Sequence, residues 1–206
     1  MDTWANYDAE REALCGDLAG LGDSQWETQS LCGEWKVRHV VAHLVAECDR
    51  KTAAMLIGFL RSGLDPNRYI AREALVAGEA SPGSLLNQLR ATIGKRKTPP
   101  LAKPMAMLID TVCHSGDIRL PLGINRKPTE ETLLAVAEDM KSANFPLGTR
   151  RRITGLRLVA TDTAWSTGNG PAVEGPVESL ILMMAGRRGA LEGLTGEGLP
   201  LLTSRI

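Results

Sequence analysis

Apolar residues recur at helical spacing over residues 3–21, where Trp4, Tyr7, Leu14, Leu18 and Leu21 form one stripe and Gly22 supplies a stop. After the polar stretch GDSQWETQSLCGEW, a long helix is predicted over residues 36–61. Its inner face carries Val37, Val40, Val41, Leu44 and Val45, and Gly63 ends it. A helix over 67–77 follows. Another begins at Ser81-Pro82, a capping hydroxyl with proline in the first turn, and ends before KTPP. The run AMLIDTVCHSGDIRLPLG predicts a helix over 103–115, with Gly116 and Pro121 as breakers. Thr129, followed by Glu130 and Glu131, caps a last one to about residue 143.

The pattern then changes period. In ITGLRLVATDTAWSTGNGPAVEG, Leu156, Leu158 and Ala160 alternate with Arg157, Val159 and Thr161, the signature of a strand with one buried side. STGNGP fits a hairpin turn, Pro176 opens a helix stopped at Gly189, and GLPLLTSRI reads as a returning strand. The expected fold is mainly α: a helical bundle over residues 1–147, then a small α/β domain over residues 148–206.

Composition adds exclusions. With 24 basic and 24 acidic residues among 206, the formal net charge is zero, which gives no general attraction to nucleic acid or an anionic membrane. The Arg150-Arg151-Arg152 run reads as a solvated linker. The charged start and the lack of any long apolar run argue against export and against a membrane span. Cys15, Cys32, Cys48 and Cys113 show no paired spacing, as expected of reduced thiols in a cytoplasmic protein. Aromatic residues make up only 4%, so aliphatic side chains must fill the core.

Against that background the charged residues inside oily helices stand out. Asp110 and His114 are four apart and share a helix face, as do His39, His43 and Glu47 in the second predicted helix. A buried carboxylate costs several kcal/mol unless a cation or good donors face it. A divalent ion on His43, Asp110 and His114 would meet that cost for three groups at once and keep a coordination position open, as catalytic zinc sites do. Spacing alone equally allows Asp110 to pair with His114, Arg38 or Arg119, and allows His39 with His43 as the imidazole pair.

Three stretches together resemble the mycothiol-dependent maleylpyruvate isomerase family of the DinB-like metalloenzyme superfamily. CGEWKVRHVVAHLVAE resembles its Cys-Gly-Glu-Trp opening, with the Ala-His-Leu histidine at His43. DTVCHSGDIRLPLG resembles its second motif through Asp110, His114, Asp117, Ile118, Arg119, Pro121, Leu122 and Gly123. The segment GLRLVATDTAWSTGNGPAVEGPVESLILMMAGR resembles its small C-terminal domain. Two positions depart from the family pattern: Asp110 stands where glutamate is usual, and His39 where aspartate is usual.

The resemblance implies a DinB-like four-helix bundle holding a divalent metal, zinc foremost, on His43, Asp110 and His114, with mycothiol as thiol cosubstrate. The implied reaction is isomerisation of, or sulfur transfer to, a small electrophile such as maleylpyruvate. A metal-bound thiolate is its implied nucleophile, and Arg119 and Arg187 the cations for a dicarboxylate. Arg187 reads equally as a cation closing the last turn of a helix, and Asp117 either as a partner that orients His114 or as a cap on the turn that ends the helix. The expected partners are small molecules, with no nucleic acid or membrane, in a monomer or homodimer. The alternative is a family member that has lost catalysis and serves as a metal-binding or stress-response protein.

Overall fold

The computed structural model describes residues 1–49, 58, 60–99, 102–143 and 148–206, which divide into two compact units, Asp2–Ile124 and Asn125–Ile206 with Met1. The division falls after Ile124 rather than at 147. The helix opened by Thr129 packs within the second unit, a placement that its own amphipathic pattern does not reveal.

The first unit contains α1 (Thr3–Ala19), the short α2 (Asp23–Trp26), α3 (Val37–Asp49), α4 (Pro66–Ala77), α5 (Pro82–Arg90) and α6 (Pro104–Leu122). Side-chain caps start several of them. Asp2 accepts from Trp4 and Ala5 N–H, Asp65 from Asn67 and Arg68, and Ser81 from Ser84. α1 packs on α5 and α6, and α3 packs on the same two, so four helices close a ring and form the bundle. Leu14, Leu18, Val37, Val40, Val41, Leu44, Leu85 and Leu89 fill its centre, with Trp26 and Trp35 at one end. The continuation of α3 towards residue 61 lies outside the described residues.

α6 runs through both predicted breakers. Gly116 is buried inside it, and Pro121 sits in its last turn. Proline at 121 cannot donate to the carbonyl of Asp117, and the N–H of Leu31 takes that acceptor instead at 3.1 Å. Gly123 ends the helix at φ 66°, and Ile124 N–H returns to Arg119 O at 3.0 Å, closing a Schellman motif.

The second unit holds α7 (Glu130–Met140), α8 (Thr149–Ile153), three strands β1 (Arg157–Ala160), β2 (Ser166–Gly168) and β3 (Ala172–Gly175), then α9 (Val177–Met184), a 3-10 turn (Arg188–Gly193) and α10 (Leu199–Thr203). β1 shows the expected alternation, with Leu156, Leu158 and Ala160 buried. The sheet order is β2-β1-β3, with β1 antiparallel to β2 and parallel to β3. STGNGP therefore does not close a hairpin. It carries the chain across the start of β1, where a Cβ on Gly168 (φ 80°) would meet Leu156 O at 2.2 Å. The hairpin forms earlier, between β1 and β2. The last segment is helix α10 and not a strand: Pro200 lies in its first turn, and only Leu202 of its apolar side chains is fully buried. Among the described residues no helix is long and apolar enough to cross a membrane.

Candidate metal centre

The bundle brings His43 from α3 against Asp110 and His114 from α6. Val40, Val41 and Leu44 of α3, and Leu108, Val112 and Ile118 of α6, are buried on either side and fix which faces meet. His43 Nε2 lies 3.4 Å from Asp110 Oδ2, and His114 Nε2 lies 3.5 Å from Asp110 Oδ1. Donors bound at 2.0–2.2 Å in a tetrahedral zinc site stand about 3.4 Å apart, so these separations suit a shared ion. One donor atom from each of the three residues lies within 4.8 Å of the other two. Asp110 Oδ2 is sealed from solvent and faces His43 Nε2 at 3.4 Å without a well-formed hydrogen bond, a position that a cation between the two would satisfy.

Without an ion, the carboxylate and the imidazoles hold each other by charge. Burial pushes the Asp110 carboxyl up, but the charges of His114 and His43 outweigh it and hold the group far below the usual range. Desolvation would lower the His114 imidazole. The charge of Asp110 and hydrogen bonds to Asp117 and Cys32 instead raise it well above 6.5. His114 Nδ1 meets Asp117 Oδ2 at 2.8 Å, and Asp117 is fully buried. This carboxylate fixes the ring so that Nε2 faces Asp110, the arrangement that orients metal-binding histidines.

A loop closes the site from one side. Trp35 stacks on both imidazoles, with ring centroids 5.1 Å from His43 and 5.9 Å from His114. Its carbonyl accepts from Ser30 N–H (2.9 Å), Ser30 Oγ (2.6 Å) and Gln29 Nε2 (2.9 Å), which immobilise the turn. Cys32 on the same loop places its sulfur within 4.8 Å of donor atoms of His114 and Asp117, a second His/Cys/Asp group sharing one imidazole with the first. The CGEW tetrapeptide, close ahead of His43, is the sequence feature from which the Cys32 and Trp35 contacts could have been anticipated.

Residues 7–104 match the profile of the Mycothiol maleylpyruvate isomerase N-terminal domain. This segment belongs to that family. Two solved structures share the fold, each with a TM-score of 0.64 and 14% identity over 95% of this chain and 92% of theirs. They are the mycothiol-dependent maleylpyruvate isomerase and a histidine-to-alanine mutant of it. No curated protein matches the chain.

The remaining residues singled out in the sequence lie elsewhere. Arg119 is 2% exposed and turned towards α1, where Nε donates to Asp17 Oδ2 at 2.8 Å and Nη1 pairs with Glu10. Two of its nitrogens are thus engaged by acids of α1, while Nη2 is buried with no hydrogen-bond acceptor among the described residues. Arg187 lies in the second unit. Its N–H closes α9 on Leu182 O at 2.9 Å, and its guanidinium donates to Ala185 O at 3.0 Å, as a cation at a helix C-terminus does. His39 accepts the Lys36 N–H at 3.1 Å and packs against Gly78 at the end of α4, outside the group that converges on Asp110. Burial, with Arg38 beside it, holds its pKa below the usual value.

Proposed function

We propose that this chain is a metal-dependent enzyme that uses a low-molecular-weight thiol, mycothiol, to isomerise a small electrophile such as maleylpyruvate or to transfer sulfur to it. The observation that carries this reading is the convergence of two imidazoles and one carboxylate from two helices, in a chain with a segment of this domain family. That the structural neighbours are a mycothiol-dependent maleylpyruvate isomerase and its mutant supports isomerisation over transfer.

His43, Asp110 and His114 would hold the ion, zinc foremost, and three protein ligands leave room for a further donor. When bound, such an ion supplies positive charge that ionises a thiol whose free pKa is near 8.5. The chain's own residues prepare the place. Asp117 keeps the His114 ring turned, Trp35 shields both imidazoles from water, and the buried bundle interior strengthens every charge interaction there. In the proposed isomerisation the thiolate adds to a cis double bond, the adduct rotates about the resulting single bond, and expulsion of the thiolate leaves the trans product. Arg187 is proposed to hold a substrate carboxylate, a role read from the family resemblance.

A second reading, a metal-binding protein without turnover, draws on the short arm of Asp110. Metal analysis of the purified protein, followed by turnover assays, separates the two. We expect about one divalent ion per chain, lost in His43→Ala and His114→Ala, and conversion of maleylpyruvate only with added mycothiol. Metal without turnover selects the second reading. A folded protein that carries no metal and ignores added zinc would overturn both.

A further inference from the structure

His39 stands outside the metal group, and the reading above gives it no task. It is the third residue of α3, 7% exposed, and its Nδ1 accepts the N–H of Lys36 at 3.1 Å. That N–H belongs to the peptide unit joining Trp35 to Lys36. The carbonyl of the same unit accepts from Ser30 N–H, Ser30 Oγ and Gln29 Nε2. One peptide plane is therefore gripped on both sides, by the loop at its carbonyl and by α3 at its N–H. Trp35, whose indole stacks on His43 and His114, is anchored by that plane.

The imidazole is itself held in place. A Cβ on Gly78, at the end of α4, would come within 2.4 Å of its Cδ2, so the ring packs directly on that backbone. Arg38, the residue before, ties the same end of α4 through Gly78 O (2.6 Å) and Ala80 O (2.9 Å). Burial first, and Arg38 after it, favour the neutral ring, the only form in which an imidazole nitrogen accepts. A leucine of similar size would fill the space and leave the Lys36 N–H without its acceptor.

We propose that His39 is a positioning residue for the metal centre, fixing the Trp35–Lys36 peptide so that the indole stays seated on His43 and His114. The proposal rests on the metal-site reading above. His39 supplies no ligand in it and acts only through Trp35. Outer partners that hold the groups around a metal are known to govern its affinity, and here the chain of contacts runs from Gly78 through His39 and Trp35 to the two imidazoles.

Zinc affinity of the full chain, measured by competition with a chromophoric chelator, tests it in a double-mutant cycle. His39→Leu should bind zinc about fivefold more weakly, the equivalent of one ordinary hydrogen bond. His39→Asn, whose amide oxygen takes the place of Nδ1, should recover wild-type affinity. In a Trp35→Ala background His39→Leu should have no further effect, since no indole is left to seat. Gly78→Ala, which forces the ring aside but keeps its nitrogens, should mimic His39→Leu, and it decides the matter if the leucine variant does not fold. Wild-type affinity in His39→Leu, or in Gly78→Ala where that variant stands in for it, would overturn the proposal and leave the metal site standing. A loss that His39→Asn fails to restore, or that persists in full without Trp35, would make His39 a packing residue and overturn it as well. A wild-type protein that binds no zinc would remove this inference together with the reading beneath it.

Discussion

Replacing Arg119 with methionine should unfold the bundle more easily while leaving the affinity for an anionic substrate unchanged. The guanidinium is 2% exposed and is the cation between Glu10 (5%) and Asp17 (6%), both on α1. Methionine keeps most of the volume but leaves two buried acids facing each other. Removing one partner of a buried ion pair costs about 3–5 kcal/mol. Burial already pushes the Glu10 carboxyl up, so proton uptake there relieves part of the repulsion and favours the lower figure. For a chain of this size, each kcal/mol moves the melting temperature about 2–4 °C, so about 3 kcal/mol predicts a fall of about 6–12 °C. Circular dichroism melts at neutral pH would measure it. Adding Glu10→Gln should recover part of the loss, because it removes one of the stranded charges. If Arg119→Met melts within a degree or two of wild type and instead raises KM for a dicarboxylate, Arg119 is an anion-binding group and the packing argument fails.

The metal-free protein should lose stability as pH rises from about 5 upward. His114 and Glu47 both carry raised pKa values, so each stabilises the fold fully below its unfolded value (6.5 and 4.5) and loses that contribution as pH climbs through its folded value. Zinc should reverse the slope, because its ligands must shed protons to bind. Melts of chelated and loaded protein across that range would show it, and a chelated Tm that climbs with pH contradicts the assignment. Trp35→Ala should weaken zinc binding about tenfold by freeing both imidazoles, with Trp35→Phe near wild type, as competition with a chromophoric chelator would measure. Gly168→Ala should destabilise the second unit by more than about 1 kcal/mol, since its Cβ would press on Leu156 O at 2.2 Å in a left-handed backbone; a denaturant midpoint equal to wild type would refute this.

Much of this was legible in the chain itself. His43, Asp110 and His114 stood out because polar groups at four-residue spacing interrupt apolar stripes, a pattern local to each helix. What proved illegible depended on partners far along the chain. The acids that claim Arg119 lie 109 and 102 positions earlier on α1, so the arginine read as available. Pro121 read as a breaker because nothing local reveals that Leu31 accepts the role of missing donor. The grouping of α7 with the second unit, and the path of STGNGP across β1, likewise follow from packing and not from propensity. Trp35 and Cys32 lay in plain view in CGEW, but only the folded loop shows that they touch the site histidines.

That loop is tied at both ends. Thr28 O meets Val37 N–H at 3.0 Å, Leu31 N–H meets Asp117 O, and Trp35 lies between them against the imidazoles. Its length is therefore not free to drift. One inserted or deleted residue between α2 and α3 would break registry with the C-terminal turns of α6 and slide the indole off its seat. We expect this stretch to tolerate exchanges of side chain far better than changes of spacing, a hinge-free brace that transmits any local disturbance straight to the histidines.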